Sequence, residues 1–380
     1  MLYFCLMQPS NPFLISGYHT PNEFCDRENE TQRLREGILN GRNLTLISWR
    51  RMGKTGLIDH TFHLMNKEKD HSFFYVDLLP TLSLADFIRE FSKSVIGKLD
   101  SPSSKIIKKI GTLLSHLRPT ITYDNLTGEP SILFDFVKSG NEQNTLEQIF
   151  NYLDSQKNKI VIALDEFQQI LKYPEQNTEA LLRSHIQKSK NISFIFSGSR
   201  KHLLEAMFRD SGRPFYNSTE ILFLEKINSE EYCNFINKKF KEGGTKITSE
   251  VIDQILEWCR YHTWFVQYVC NRLYSLSRDE IDVTILHQMM VTILEENEPG
   301  YYGYRNLITA FQWKVLNAIA VEKKLSEPNG KAFLTKYQLG AASSVSLAIE
   351  ALLDKELIFR ENEIFYVYDV FLARWMERKY

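Results

Sequence analysis

Two short groups of residues in this sequence have the composition of a phosphate-binding site. The first is Arg50-Arg51-Met52-Gly53-Lys54-Thr55-Gly56, which lies between the apolar run LTLIS and a helical pattern. Backbone N–H groups at a helix start face phosphates, Lys54 would present its charge to the β- and γ-phosphate oxygens, and Thr55 would give a hydroxyl ligand to Mg²⁺. The full pattern has glycine where this chain has Ser48, so the loop departs from it at the first position.

The second group is Asp165-Glu166, which follows the apolar run IVIAL. A buried strand would deliver both carboxylates at its C-terminal end, where ligands of open parallel sheets bind. Asp165 would hold Mg²⁺ directly or through water, and Glu166 would orient and deprotonate the attacking water. An acidic pair of this kind can also cap a helix, but together with Gly-Lys-Thr on another strand it predicts a nucleoside triphosphate site.

A third polar group follows the run ISFIFS. Ser199 stands at the tip of this predicted strand, where it could bind the attacking water or the γ-phosphate; the alternative is a turn with a serine helix cap. Arg200, Arg209 and Arg213 come soon after, and an arginine that reaches a γ-phosphate accelerates its transfer strongly. The spacing alone does not choose among the three arginines.

The elements that must position these residues form an α/β pattern. Up to about residue 227, short β-branched and aromatic runs alternate with helical patterns, as in a parallel sheet covered on both faces. We therefore predict a nucleotide domain over 1–227, with a helix-plus-hairpin insert at 101–143, and a helical lid domain over 228–300. Residues 301–380 read as three helices followed by a hairpin, which is the order of a winged helix.

Composition sets limits on function. The 380 residues are 43% hydrophobic and 24% charged, which favours an ordered globular chain. With 46 basic and 47 acidic residues, the chain has no net positive charge that would attract nucleic acid or anionic lipid. Five scattered cysteines without a CxxC pair indicate reduced thiols, and no apolar stretch reaches membrane-spanning length. We expect a cytoplasmic protein that makes no membrane contact.

The same residues carry a resemblance to a known family, through motifs spread over nearly the whole chain. The sequence resembles the archaeal-type ATPase family, which belongs to the STAND branch of AAA+-related P-loop NTPases. The motifs are Phe24-Cys25-Asp26-Arg27-Glu28-Asn29-Glu30, Arg50-Arg51-Met52-Gly53-Lys54-Thr55, Leu164-Asp165-Glu166-Phe167, Phe196-Ser197-Gly198-Ser199 and the C-terminal winged helix.

This resemblance implies a parallel sheet of order 5-1-4-3-2 and a site for ATP or ADP with Mg²⁺. It places the Asp26-Arg27 element against the adenine, and Arg51, Met52, Gly53, Lys54, Thr55 and Gly56 around the phosphates. Thr55 and Asp165 would be the metal ligands, and Glu166, Lys54 and Ser199 the catalytic residues. The family usually has Gly-Pro where Ser48-Trp49 stand. Relatives often carry Tyr-Gly-Arg near the fifth strand, where this chain has Tyr216-Asn217-Ser218, so Arg213 is a substitute candidate for the arginine.

Three functions remain open on the sequence. The first is a slow Mg²⁺-dependent ATPase switch whose winged helix docks on the core or on a protein partner, or which self-associates. The second is a DNA-binding protein regulated by its P-loop domain, and the third is a scaffold that binds nucleotide without useful hydrolysis. Eleven basic and nine acidic residues in 301–380, and a reading helix without arginine, favour the first function over the second. The intact Lys54, Thr55, Asp165 and Glu166 argue against the third.

Three smaller features are interpreted as packing or surface features of the fold. His60 and His63 have metal-pair spacing but no further ligands nearby, so we expect packing or solvent exposure. The basic stretch with Lys105, Lys108 and Lys109 favours a solvated helix face over a membrane contact. Trp49 is large for a phosphate loop, and we expect its indole to pack on the nucleotide domain or the winged helix in the resting state.

Overall fold

The computed structural model describes residues 11–67, 70–99, 110–112, 114–123, 130–137 and 140–379. Two compact units divide the chain. The first unit spans Ser16–Lys226, and the second comprises the described residues from Ile227 onward together with 11–15. Lys105, Lys108 and Lys109 of the basic stretch lie outside the described residues. Among the helices that are described, none is long and apolar enough to cross a membrane.

The first unit alternates strands and helices along the chain. Its elements are α1 (Glu28–Leu39), β1 (Leu44–Ile47), α2 (Lys54–Met65), β2 (His71–Asp77), α3 (Leu84–Phe91, continued by a π-helical turn at Ser92–Ile96 and by Gly97–Leu99), β3 (Leu117–Tyr123), β4 (Pro130–Phe136), α4 (Glu142–Asp154), β5 (Lys159–Asp165), a 3₁₀ helix (Phe167–Lys172), α5 (Thr178–Lys188), β6 (Ile192–Gly198), α6 (Lys201–Arg209) and β7 (Glu220–Phe223). A further 3₁₀ turn, Pro21–Glu23, precedes α1.

A five-stranded sheet in the order β2-β5-β6-β1-β7 is the centre of this unit, and every neighbouring pair is parallel. Counted over these five strands alone and read from the other edge, the order is 5-1-4-3-2, which confirms the expected sheet. Alternate residues of β5 enter different cores: Ile160, Ile162 and Leu164 belong to one buried cluster, and Val161 and Ala163 to the other. Burial on both faces explains why this strand is apolar throughout.

The insert between β2 and β5 contains the antiparallel hairpin β3–β4, with Leu117 opposite Phe136 and Tyr123 opposite Pro130. Leu117, Ile132 and Phe134 of this hairpin enter the same buried cluster as α3. The hairpin of the predicted insert is thus present in the structure. Residues 100–109, which include only the first five residues, 105–109, of its predicted helix, lie outside the described part of the chain.

The second unit consists mainly of helices. Its elements are α7 (Ser229–Glu242), β8 (Lys246–Ile247), α8 (Ser249–Trp258), α9 (Thr263–Tyr274), β9 (Glu280–Ile281), α10 (Val283–Tyr304), α11 (Ala310–Glu322), α12 (Lys331–Lys336), α13 (Ala342–Asp354), β10 (Ile358–Glu361), β11 (Ile364–Val367) and α14 (Val370–Lys379). The segment from α11 to the β10–β11 hairpin has the winged-helix order. The predicted boundary between residues 300 and 301 lies inside α10, which continues through Pro299.

Candidate functional site

The loop between β1 and α2 has the backbone of a phosphate loop. Gly53 is the N-cap of α2 with φ 91°, and Arg51 has φ 64°, so both lie in the left-handed region. Glycine adopts that region without steric cost, which explains the residue type at 53. Ser48 is not among the residues with positive φ. The serine at the first loop position therefore needs no conformation that its Cβ would oppose.

Lys54 is buried at the first position of α2, with 7% of its surface exposed. Its Nζ donates to Ser48 Oγ at 3.3 Å and to the Trp49 carbonyl oxygen at 3.4 Å, and Ser48 Oγ donates to the same carbonyl at 2.8 Å. Burial lowers the pKa of Lys54, while the charges of Asp165 and Glu166 act in the opposite direction. The ammonium is thus held against the loop's own oxygen atoms, beside two carboxylates.

Asp165 ends β5 and collects hydrogen bonds from three neighbouring elements. Its Oδ2 accepts from Thr55 Oγ1 at 3.2 Å and from the Tyr75 hydroxyl, and its Oδ1 accepts from Ser197 Oγ at 2.6 Å. The Glu166 N–H also donates to Oδ1, at 3.0 Å. Thr55 and Asp165, predicted from widely separated parts of the sequence, therefore meet at one edge of the sheet.

Glu166 follows in the left-handed region, with φ 52°. Its Oε2 accepts from Gln168 Nε2 at 2.5 Å, from Ser199 Oγ at 2.9 Å and from the Ser199 N–H at 3.4 Å. A Cβ on Gly198 would lie 2.0 Å from Gln168 Oε1, so glycine is required for this arrangement. Strained conformations of non-glycine residues are typical of functional sites. The contact with Ser199 connects the carboxylate predicted as base to the predicted polar group of β6.

Two further carboxyl groups flank this edge of the sheet. Burial raises the pKa of Asp59, on α2, and of Asp77, at the end of β2, and the charge of Asp165 raises both further. In the described part of the chain, no three His, Cys, Asp or Glu side chains form a cluster able to bind a metal by themselves. Mg²⁺ commonly takes one or two protein oxygens and completes its shell with water and phosphate oxygens. Thr55 and Asp165 fit that mode, and the Lys54 ammonium at the helix start fits a polyphosphate.

The segment before α1 packs against α2. Asp26 and Arg27 both have positive φ, and buried Arg27 pairs with Glu30 at 2.9 Å and donates to the Glu225 carbonyl at 2.6 Å. Phe24 stacks on His60 with ring centroids 4.1 Å apart. The contact of Asp26 and Arg27 with adenine stays a prediction.

His60 also contacts Tyr18, whose hydroxyl lies 3.0 Å from His60 Nδ1. Burial lowers the pKa of His60, with a contribution from His63, and burial raises the pKa of Tyr18 to about 12. Tyr18 packs edge-on against both histidine rings. The histidine pair thus takes part in aromatic packing.

Arg213 lies in an ion pair with Glu179 of α5, at 2.6 Å. No described contact joins it to Asp165, Glu166 or the phosphate loop. Glu179 is half-buried, and burial raises its pKa while Arg213 lowers it. The role of Arg213 at a γ-phosphate therefore stays a prediction, and in this conformation its guanidinium serves a contact within the unit.

Sequence reasoning assigned no individual role to four residues that the structure places in this site. Tyr75 and Ser197 bind Asp165, Gln168 binds Glu166, and Arg50 Nε donates to Ser199 Oγ at 3.2 Å. Ser197 lies near the end of β6 and Gln168 in the 3₁₀ helix after β5, and their closeness to predicted residues was the available signal. Tyr75 lies within a strand run and carried no comparable signal.

Comparison with known proteins agrees with this geometry. The family described as ATPase domains predominantly from Archaea matches residues 24–260, and the family of winged helix domains matches residues 299–378. The chain is a P-loop ATPase with a C-terminal winged helix, and it belongs to this archaeal ATPase family. The family expected from the motifs is confirmed. No curated protein sequence matches the chain.

Solved structures share the fold over almost the whole chain. A Walker-type ATPase of Pyrococcus abyssi has a TM-score of 0.66 and 15% identity, covering 96% of this chain and 99% of its own. The ORC2 protein of Aeropyrum pernix, solved as ADPNP-ADP complexes, has a TM-score of 0.60 and 14% identity, covering 97% and 96%. Cdc6p from Pyrobaculum aerophilum has a TM-score of 0.52 and 11% identity, covering 96% of this chain and 97% of its own. At these identities the likeness establishes the fold alone.

Proposed function

We propose that this chain is a Mg²⁺-dependent ATPase that hydrolyses ATP slowly and acts as a nucleotide-controlled switch of the STAND type, with its winged helix as a protein-docking module. The observation that carries the proposal is the convergence of Lys54, Thr55, Asp165, Glu166 and Ser199 at one edge of the sheet. These side chains come from β5, from the end of β6 and from the start of α2, and the hydrogen bonds among Thr55, Asp165, Glu166 and Ser199 connect them.

Each residue has a distinct role in this proposal. Lys54 would exchange its contacts with Ser48 and Trp49 for phosphate oxygens, and the N–H groups at the start of α2 would bind the same phosphates. Thr55 and Asp165 would hold Mg²⁺, which when bound neutralises charge on the phosphate oxygens. Glu166 would orient the attacking water and accept its proton.

The environment of Glu166 supports slow turnover. Its Oε2 already accepts three hydrogen bonds, from Gln168 and from the hydroxyl and N–H of Ser199. To act as a base on water, Glu166 must exchange some of these bonds. A switch needs a long-lived ATP state, and a base engaged in this way would provide it.

The exposed face of α13 supports protein docking over DNA reading. This helix holds the position of a reading helix, and its exposed side chains include Ser343, Ser344, Leu347, Glu350 and Asp354. None of these is cationic, whereas helices that read a major groove present Arg, Lys, Asn or Gln to base edges. In the adjacent hairpin, Arg360 pairs with Glu363. Two carboxylates on this face would repel the phosphate backbone.

The test is a phosphate-release assay on the purified chain with ATP, with Mg²⁺ or with excess chelator. We expect turnover that requires Mg²⁺ and stays below about 1 per second, the lower edge of ordinary kcat values. Lys54→Ala should lose ATP binding, whereas Lys188→Ala, which removes an exposed lysine of α5, should retain it. Turnover that persists in chelator, or that is unchanged in Lys54→Ala, would contradict the assignment. Turnover well above that limit would contradict the switch.

A further inference from the structure

Two consecutive residues of the phosphate loop are tied to the junction between β6 and α6. Trp49 has the Nζ of Lys201 at 5.5 Å from its ring centroid, and Arg50 Nε donates to Ser199 Oγ at 3.2 Å. Lys201 is the first residue of α6, and Ser199 follows the last residue of β6. The loop that receives phosphate is therefore held from the side by the segment that carries the predicted polar group of β6.

Lys201 also reaches a second aromatic ring. Its Nζ lies 5.3 Å from the centroid of Phe223, the last residue of β7, and Arg209 lies 4.9 Å from the same ring. Trp49 itself is half-buried and packs against the apolar cluster beneath the loop, which includes Leu46 and Met52. We call Trp49, Lys201 and Phe223 the Lys201 clamp. It joins the phosphate loop, α6 and the edge strand β7.

The backbone of Trp49 connects this clamp to the chemistry of the site. Its carbonyl oxygen accepts from both Lys54 Nζ and Ser48 Oγ. While Trp49 stays in this position, two of the three donors of the ammonium that should bind phosphate point to oxygen atoms of the loop. Nucleotide must compete with these contacts, and any interaction that stabilises the occupied loop lowers the apparent affinity for nucleotide.

We propose that the Lys201 clamp is an autoinhibitory contact: it holds the phosphate loop in a resting conformation, and nucleotide binding requires its release. The inference rests on the proposed function, because it concerns the same ATP site. Lys201 acts through Trp49 and is a positioning residue. Lys201 directly follows Ser199-Arg200, and the Ser199 hydroxyl donates to Glu166. Release of Trp49 from Lys201 would therefore also change the position of Ser199.

The test is binding of a fluorescent ADP analogue with Mg²⁺, followed at equilibrium and by stopped flow. Lys201→Met keeps the length of the side chain and removes its charge. A cation–π contact of this kind changes an equilibrium by a factor of about 2 to 30. We expect Lys201→Met to lower the Kd by a factor in that range, mainly through faster association. Lys201→Arg should resemble the wild type, because guanidinium stacks on aromatic rings.

Two further variants separate the clamp from a general effect on folding. Trp49→Leu should also lower the Kd. The double variant Trp49→Leu with Lys201→Met should lower the Kd little further, because both changes remove the same contact. Phe223→Leu tests the second ring, with a smaller effect in the same direction. The matched control is Lys188→Met on α5, which should leave the Kd unchanged. Thermal unfolding by circular dichroism would identify a variant that has lost its fold.

Trp49 is the only tryptophan of the first unit, and the difference in emission between the wild type and Trp49→Leu separates its signal from that of the four other tryptophans. We expect Lys201→Met to change the emission of Trp49, which is the part of the spectrum that Trp49→Leu removes. Nucleotide should change the same part of the emission in the wild type. A Kd that is unchanged or higher in a folded Lys201→Met protein would overturn the clamp. If the wild type and Lys201→Arg bind no nucleotide, the proposed function itself is wrong.

Discussion

Replacing Glu166 by glutamine should separate ATP binding from ATP hydrolysis. The amide oxygen of glutamine can still accept from Ser199 Oγ and Gln168 Nε2, the contacts that Glu166 Oε2 makes at 2.9 Å and 2.5 Å. The shape of the site is therefore kept. Because a negative charge near the phosphates is removed, ATP affinity should equal or exceed that of the wild type. The change removes only the group that can accept a proton from water.

The size of the effect follows from that role. General acid–base catalysis contributes a factor of about 10²–10⁴ in rate, which corresponds to roughly 3–5 kcal/mol of barrier. Single-turnover hydrolysis of radiolabelled ATP should therefore slow by that factor in Glu166→Gln, while titration with a fluorescent ATP analogue shows binding. Glu147→Gln, on the exposed face of α4, is the control and should behave as the wild type. Hydrolysis at the wild-type rate in Glu166→Gln would refute the assignment of the base.

Three other expectations follow from the structure. The lowered pKa of His60 means that the folded protein favours the neutral imidazole. The stability that the neutral ring contributes is fully present above the ordinary pKa of 6.5 and is lost as pH falls through the depressed pKa. Between about pH 7.5 and about pH 5, the Tm of the wild type should therefore fall further than that of His60→Phe, and equal falls would contradict this expectation. Glu377 accepts from Arg260 at 3.4 Å and Arg374 at 2.8 Å, so Glu377→Ala should cost about 3–5 kcal/mol in urea unfolding, whereas Glu295→Ala, which breaks the exposed pair with Arg378, should cost less than about 1 kcal/mol. Labelled duplex DNA at near-physiological salt should bind the full chain weakly at best, and tight, sequence-selective binding would promote the DNA-binding function.

The sequence was most informative where chemistry and local structure coincide. Lys54, Thr55, Asp165 and Glu166 each stand at a junction between a buried apolar strand and the segment after it, and parallel strands bring such junctions to one edge. Their residue types and spacing therefore predicted the convergence that the structure contains. The sheet order came from the resemblance, because apolar strands of similar length do not reveal which of them are neighbours.

The contacts that could not be predicted depend on packing between distant segments. Arg213 pairs with Glu179 and Asp165 with Tyr75, and neither Glu179 nor Tyr75 is marked by its neighbours in sequence. The continuation of α10 through Pro299 has a similar origin, since proline normally interrupts a helix. Here Tyr301 is buried, and its ring lies 5.5 Å from Trp375. Tertiary packing of the last helical turn outweighs the local preference.

The departure of the loop from its family pattern belongs with these long-range contacts. Ser48 avoids the left-handed region, so glycine is not required there, and its hydroxyl accepts from Lys54 and donates to the Trp49 carbonyl. An indole at position 49 also needs a surface to cover it, and Lys201 together with the apolar cluster of β1 and α2 provides one. The serine and the tryptophan thus stabilise the same loop conformation. Ser48 does so through hydrogen bonds of its hydroxyl, and Trp49 through the packing of its ring. On this argument, a change at one position without the other would leave Lys54 only partly held, and nucleotide would meet a weaker competitor.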